Sequence, residues 1–570
     1  MNEMFRRLSA RPLITAELLL ASFFANLLAL ASPMFVVQVL NRYVAYGVDA
    51  TLITLTAGVL TAIGLELGFR QARVMIAASE LEERDQDRAV GAFGVIVTAK
   101  TEALEQIPPG QRREILQGLT TLETTYNAPN MMAIMDVPFA FIFVLALFLL
   151  HPVLGAIVLI FISVAVLFTV INQRTLQPVT QSLSQITGFG NSLVSTSNNA
   201  ADTIRAFAGH DLMMKAWRTY VEQVQRLRQL VTRRQGMSQT FTQSLQAVMG
   251  VAIIGIGAIL VVGGNLDVGT MIGANILAAR GLGPVIKLAN LSESMSKAQQ
   301  ALVKIRSLAS LPLEEDAGSV LGEYSGTVEL RDVAFAHPGS PSPLFEQLSL
   351  NLPAGSVLLI RGRNGAGKST LARLLVGLMQ PSRGQILVDG VDLRQLSPKW
   401  WRRQVVYLPQ EPTFLNGTIR SNLKAVNPEL EDGDMNVILR RAGLGAFIDE
   451  SPKGFETEIV DNGQTLAVGI RRRLALARAI TTPGRLVVFD EPTEGVDPEG
   501  CAAVYEIMKT LVQDGRTIIV ITSDPIILSG ARLTLDLNSK PIPQIIQGTQ
   551  PDQSSKTSSP TVEKNPERQA

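Results

Sequence analysis

The sequence predicts two architectures in tandem: a bundle of six membrane-spanning helices, then a domain of the α/β class. Three observations carry this reading. Charged residues are 18% of the 570-residue chain, below the roughly one quarter of a soluble protein, and mean hydropathy is +0.23. The apolar excess is concentrated in six segments before residue 290. Beyond about residue 326, β-rich and α-rich stretches alternate. The expected boundaries are a cytoplasmic N-terminus at 1–12, a transmembrane domain at 13–310, a linker at 311–325, the α/β domain at 326–540 and a disordered tail at 541–570.

The first apolar run, Leu13–Leu40, follows a polar stretch carrying Arg6, Arg7 and Arg11. It is too long for a signal-peptide core and has no small-residue cleavage pattern, so it is expected to persist as the first span. Five more follow at Leu52–Gly68, Met131–Leu150, Val153–Ile171, Leu245–Val262 and Val268–Leu288. Each is near the ~20 residues that a helix needs to cross the hydrocarbon layer. Arg280 and Lys287 make the last the least regular. Glu17, Glu66 and Asp136 lie in or beside spans, where interface anchoring or burial against neighbouring helices is expected ahead of a proton-carrying role.

Basic residues orient the bundle. Eight lie between Arg174 and Arg234, whereas the connection after the first span holds only Arg42 and Gly263–Gly269 holds none. Both termini are therefore expected in the cytoplasm. The long inward segments, Phe69–Asn130 and Asn172–Ser244, keep helical spacing and are expected to prolong the spans. Leu311–Tyr324 is acidic and holds Pro312 and Gly318, as a linker would. From Pro541 the composition turns to Pro, Gln, Ser and Lys without periodicity, which predicts disorder.

Composition also excludes several chemistries. A formal net charge of +1 gives no argument for a nucleic-acid partner. Cys501 is the single cysteine, so an intrachain disulfide framework and a cysteine-rich metal site are ruled out. With His151, His210 and His337 as the only histidines, a histidine-built metal centre is not expected either.

The most specific signal is Gly362-Arg363-Asn364-Gly365-Ala366-Gly367-Lys368-Ser369-Thr370. It follows the apolar run Ser356–Ile360 and precedes a helical pattern at Leu371–Leu375, the strand–loop–helix setting of a P-loop. Glycines let backbone N–H groups close round phosphates, and the helix N-terminus adds a favourable dipole. Lys368 is expected on the β- and γ-phosphates of ATP, and the Ser369 hydroxyl on Mg²⁺. A second apolar strand, Leu486–Phe489, ends in Asp490-Glu491. That delivers an acidic pair to the sheet edge where nucleotide crevices lie. Asp490 is expected to hold Mg²⁺ through water, and Glu491 to polarise the attacking water as the catalytic acid–base group.

Taken in order, the P-loop, Gln410 in Tyr407-Leu408-Pro409-Gln410, Leu466–Ile470 before Arg471–Ile480, and Asp490–Asp497 resemble an ABC ATPase domain over about Gly326–Leu537. The membrane half resembles the type I exporter fold, which implies helices that cross between subunits and dock on the ATPases. Asp136-Val137-Pro138-Phe139, Phe148–Pro152 and Met271–Pro284 are similar to type I secretion exporters. Within that group the likeness is to the protease-exporting branch, since no peptidase-like domain is expected before the first span. The resemblance implies an ATP-hydrolysing dimer in the inner membrane, surrounded by lipid, with the ATPase domain in the cytoplasm. It implies export, most specifically of a polypeptide, with an adaptor and an outer-membrane channel as partners. A lipid or small-molecule exporter, or a regulatory ATP-binding half with weak hydrolysis, stay open as alternatives.

The resemblance also assigns roles. Gln410 would link the γ-phosphate and Mg²⁺ to the membrane half. His337 stands where an aromatic residue stacks on adenine; an ordinary strand-end histidine reads the same. Asn199–Phe207 looks like a coupling helix, and a solvated amphipathic helix would too. Two departures matter. The Leu-Ser-Gly-Gly-Gln signature is replaced by Leu466-Ala467-Val468-Gly469-Ile470, losing a hydroxyl and adding a branched side chain where backbone should approach closely. The switch histidine is replaced by Ser523, which carries no positive charge to the phosphate. Low intrinsic turnover, and pairing with a partner of intact signature, are the expectations that follow.

Overall fold

Three helices dominate the N-terminal half: Asp49–Thr98 with 50 residues, Pro152–Asn199 with 48 and His210–Val262 with 53. At 1.5 Å per residue each runs about 75 Å, more than twice the ~30 Å hydrocarbon thickness. The computed structural model describes residues 6, 7, 9, 11–340, 342–530 and 533–547. These divide into a helical unit, Met1–Ala99 with Ala103–Pro312, and a second unit, Lys100–Glu102 with Leu313–Ala570.

Among the described residues of the helical unit, six helices are long and apolar enough to cross a membrane. They cover Pro12–Tyr46, Asp49–Thr98, Ala128–Leu150, Pro152–Asn199, His210–Val262 and Val268–Asn290. The first is not one smooth helix. It breaks after Leu28, resumes at Ala31–Gln38 and widens into a π-turn at Val39–Tyr43. Asn41, in that turn, donates to Asp267 and Thr270 and accepts the Gly269 N–H. A side chain at Gly269 or Gly273 would collide with Asn41 or Val37, so both glycines are needed for this crossing. Phe143, Leu147, Leu154, Val158, Ile253, Leu277 and Leu282 pack between the spans. Between Pro152–Asn199 and His210–Val262 the short helix Ala201–Ala206 turns the chain, and Phe207 beside it is 81% exposed.

Asp136 is buried, and the role expected for it is the one found. Arg73 donates to both its oxygens at 2.5 and 2.9 Å, and Asn26 adds a third bond at 3.0 Å. The charge is thus paired between neighbouring helices.

The second unit is built on strands β1 (Val328–Phe335), β2 (Phe345–Leu352), β3 (Val357–Arg361), β4 (Arg383–Val388), β5 (Val391–Asp392) and β6 (Val405–Leu408). Then come β7 (Gly417–Thr418), β8 (Glu458–Ile459), β9 (Leu486–Asp490), β10 (Thr517–Ile521), β11 (Leu533–Asp536) and β12 (Gln544–Gln547). One sheet has the order β2-β1-β4-β5 and is antiparallel. A second has the order β12-β11-β3-β10-β9-β6 and is parallel except at β12, and β7 pairs with β8 in a two-stranded antiparallel sheet. β9 and β10 are buried at every position, which is why they read as unbroken apolar runs. Their period of two feeds two cores. Leu486, Val488, Ile519 and Ile521 join Leu358 and Ile360 on one face, packed with the helix after β3. Val487, Phe489, Ile518 and Val520 join Leu359 on the other, with the helices between 419 and 511.

Two expected boundaries differ from what the structure holds. In the linker 311–325, Tyr324 is buried edge-on to Trp401, and Ser319 bridges Leu396. The tail from 541 contains β12, whose Ile545 and Ile546 face Leu535 and Thr534 across an antiparallel edge. Two isoleucines flanked by glutamines are too short a pattern to stand out in a polar stretch, and only the free edge of β11 makes them a strand. Residues 548–570 of the expected tail lie outside the described residues.

Candidate functional site

Strand register brings the site together. Ile360 of β3 pairs with Ile521 of β10, and Ile521 pairs with Asp490 of β9. Leu408 of β6 pairs with Phe489. The chain therefore leaves the sheet side by side at the P-loop, at Asp490-Glu491, at Ser523 and at Gln410. In an open parallel sheet this carboxyl edge is the place for a ligand.

The P-loop closes on itself ahead of the helix Lys368–Leu375. Gly365 and Gly367 take φ of +78° and +104°, which side chains resist, and a Cβ at Gly367 would sit 2.8 Å from Leu344. Lys368 Nζ donates to the Gly362 carbonyl at 2.8 Å, so its ammonium is folded over the loop. A cavity of about 290 Å³ opens here, lined by His337, Leu344, Arg363, Asn364, Gly365, Gly367, Lys368, Ser369, Thr370 and Gln410. Of the expected loop residues, Gly362 and Ala366 do not line it: one holds Lys368 through its carbonyl, the other is buried beneath the loop. His337 stands at the cavity wall with its ring edge-on to Phe335, centroids 5.1 Å apart.

The acidic pair lies deeper. Asp490 is 2% exposed and its Oδ1 has no hydrogen-bond partner among the described residues. Burial raises its pKa above the ordinary carboxylate value, while the Ser369 hydroxyl and the Lys368 charge act the other way. Ser369 Oγ also donates to Gln410 Oε1 at 3.5 Å. Ser369, Gln410 and Asp490 are hard oxygen donors on one side of the P-loop, and an orphaned buried carboxylate oxygen among them fits Mg²⁺.

Glu491 has φ of +48°, a strained value for a non-glycine, fixed by its N–H on the Ile521 carbonyl at 2.8 Å. Its Oε2 accepts the Ser523 backbone N–H at 3.2 Å. Burial raises its pKa, and that backbone bond opposes the shift. A serine at this position thus still orients the acid, through its amide and not its side chain. Glu491 and Ser523 line a second, more open cavity of about 470 Å³ with Thr493, Glu494, Asp524, Pro525 and Ile526.

Sequence reasoning did not single out Glu494 or Arg472. Glu494 Oε2 accepts Gln410 Nε2 at 3.1 Å, and Arg472 bonds the Glu494 carbonyl and reaches its carboxylate at 3.6 Å. The available signal was an acid three residues after Glu491, inside a stretch already quoted. Elsewhere, the helix Val468–Ile480 begins at Ala467, which makes no side-chain cap. Its first N–H groups therefore lack the hydroxyl that a serine cap would supply.

Residues 345–494 match the family described as ABC transporter, and residues 15–284 match the ABC transporter transmembrane region. The chain is similar to the leukotoxin export ATP-binding protein LtxB of Aggregatibacter actinomycetemcomitans, 27% identical over 509 residues, spanning 89% of this chain and 72% of that protein. It is equally similar to the alpha-hemolysin translocation ATP-binding protein HlyB of Escherichia coli O157:H7, 27% identical over 514 residues with the same coverage. Among solved structures, a bacterial Atm1-family ABC exporter with ATP bound superposes with a TM-score of 0.79 over 94% of each chain, at 18% identity. At that identity the likeness concerns the fold.

Proposed function

The chain is an ABC exporter, a multi-pass inner-membrane protein that binds and hydrolyses ATP and works as a dimer, and from that premise we propose that it exports a polypeptide as the energised component of a type I secretion system. The alignment with two toxin exporters over 89% of the chain supports this reading most directly. An adaptor and an outer-membrane channel would complete the path, with both termini and the ATPase domain in the cytoplasm.

In the proposed site, the P-loop amides of 362–370 and Lys368 hold the phosphates, with His337 beside the base. Ser369, Gln410 and Asp490 would hold Mg²⁺, which neutralises charge on the transferring phosphoryl group. Glu491, held by the Ser523 amide, orients and deprotonates the attacking water. On this chain transition-state charge is met by Lys368 and the P-loop amides, and Ser523 brings no cation to it.

A second reading concerns the partner. In a homodimer each site would combine Ser523 with the signature Ala467–Ile470, so both sites would carry both defects. Beside a non-identical ABC half of intact motifs, each site would carry one. The retained Glu491 keeps this chain's own site competent in such a pair. We therefore propose a heterodimer as the efficient species.

Two experiments test these proposals. In cells deleted for the chain, a specific polypeptide should vanish from the medium and return with the wild-type gene but not with Lys368→Ala; an unchanged set of exported polypeptides sinks the substrate proposal. For the heterodimer, the chain is expressed alone and with a neighbouring ABC gene, with Glu491→Gln as control. Fast, Glu491-dependent hydrolysis by the chain alone rejects the pairing.

A further inference from the structure

A glutamine amide offers two faces. Its carbonyl oxygen can ligate a hard cation and its NH₂ cannot, so a glutamine serving a metal site needs its rotamer fixed. In this chain one neighbour does so. Glu494 is a carboxylate, which when ionised only accepts, and its Oε2 takes the Gln410 Nε2 at 3.1 Å. The Gln410 Oε1 is then left on the side of Ser369, whose hydroxyl donates to it at 3.5 Å.

Glu494 is itself held in place. Arg472, the fifth residue of the helix Val468–Ile480, bonds the Glu494 backbone carbonyl and brings its Nη2 to 3.6 Å from Oε2. The guanidinium offsets the negative charge of the Glu494 carboxylate. Considered alone, Arg472–Glu494 is an ion pair whose acid is half exposed, worth little. The bond to Gln410 is what distinguishes it from a surface pair.

We propose that Glu494 is a positioning residue for Gln410, turning its carbonyl oxygen toward Ser369 and the metal side of the P-loop. The inference rests on the reading that Gln410 and Ser369 serve Mg²⁺, and it deepens that reading. Neither Glu494 nor Arg472 lines the P-loop cavity.

The test uses the full-length chain in detergent and a fluorescent ATP analogue, titrated in EDTA and in Mg²⁺. Glu494→Gln removes the charge and keeps an acceptor; Glu494→Ala removes both. The two variants should share one affinity in EDTA. The tightening produced by Mg²⁺ should be about three- to tenfold smaller in Glu494→Ala than in Glu494→Gln, the worth of one hydrogen bond. In a Gln410→Ala background the two variants should become equal. Equal Mg²⁺ dependence of the two variants in the native background overturns the proposal, because charge alone would then matter. So does a difference that persists without Gln410, or one that appears in EDTA. Lys368→Ala, which tests phosphate binding itself, separates failure of the P-loop reading from failure of this one.

Discussion

Two buried aspartates in this molecule have opposite surroundings. Asp136, in the helical unit, is 7% exposed and both oxygens are taken by Arg73 and Asn26. Asp490, in the α/β unit, is 2% exposed and has one oxygen with no partner among the described residues. Desolvation is severe for both, so the difference lies in what repays it. At Asp136 the repayment is internal, which marks the residue as a fastener between helices. At Asp490 it is incomplete within the described chain, as the proposed metal-holding role requires. Polar residues in a membrane span invite a functional reading by default, yet here the satisfied one is structural and the unsatisfied one sits in the soluble-type domain.

The strongest break of this contrast is at Asp136. Asp136→Ala strands Arg73, which is 4% exposed, and should cost about 3–5 kcal/mol of stability in the helical unit. Thermal unfolding in detergent reads the loss, and the double change Arg73→Met with Asp136→Leu should recover most of it. An unchanged midpoint in the single variant would show that the pair does not fasten the helices. Next in size is Lys368→Ala. It should weaken ATP binding by about a hundredfold, the upper range for a hydrogen bond to a charged group, while the ligand-free midpoint stays put. Unchanged affinity would move the nucleotide site away from the P-loop.

How much of this was legible in the sequence follows from the range of each determinant. The six spans and β9 were legible because their signal is local: a run of apolar residues as long as the layer or sheet it must fill. The P-loop was legible because glycine, lysine and serine must stand at fixed offsets for backbone to wrap phosphates. Asp136 was visible as an anomaly, but Arg73 lies 63 residues earlier and no local pattern joins them. Glu494 escaped because its importance is relational: it meets Gln410 across 84 residues, through the β6–β9 pairing. β12 escaped because a two-isoleucine strand exists only through the edge it completes. The amide role of Ser523 could not be read at all, since every residue type but proline carries the same N–H at that position.

That last point gives a prediction of intermediate size. Because the backbone N–H of residue 523 already orients Glu491, Ser523→His should add charge near the phosphate without disturbing the acid. Turnover with a partner of intact signature should rise about tenfold, short of the hundredfold or more typical of a full transition-state donor because the opposite site is unaffected. Nucleotide affinity should not change. If turnover instead falls, with Glu491→Gln as the floor, the imidazole has displaced the amide bond and the serine is needed for the acid's position.

The smallest effect is at Asp490 itself, and its sign is opposite to that at Asp136. Burial raises the Asp490 pKa in the folded protein above the unfolded value. A carboxyl raised in this way binds its proton more tightly when folded. It therefore opposes folding above the folded pKa, and that penalty fades as pH falls through it. Asp490→Asn keeps the shape, can still accept from Ser369, and removes the unpaired charge. The ligand-free variant should melt higher than wild type by roughly 2 °C at pH 8, and the gap should close as pH falls through the raised folded pKa toward the ordinary carboxylate value. In saturating Mg²⁺ and ATP the order should reverse, because wild type gains the repayment that its orphaned oxygen awaits and the variant does not. A variant less stable than wild type at every pH without ligand would mean that Asp490, like Asp136, is a fastener, and the contrast between the two aspartates would fail.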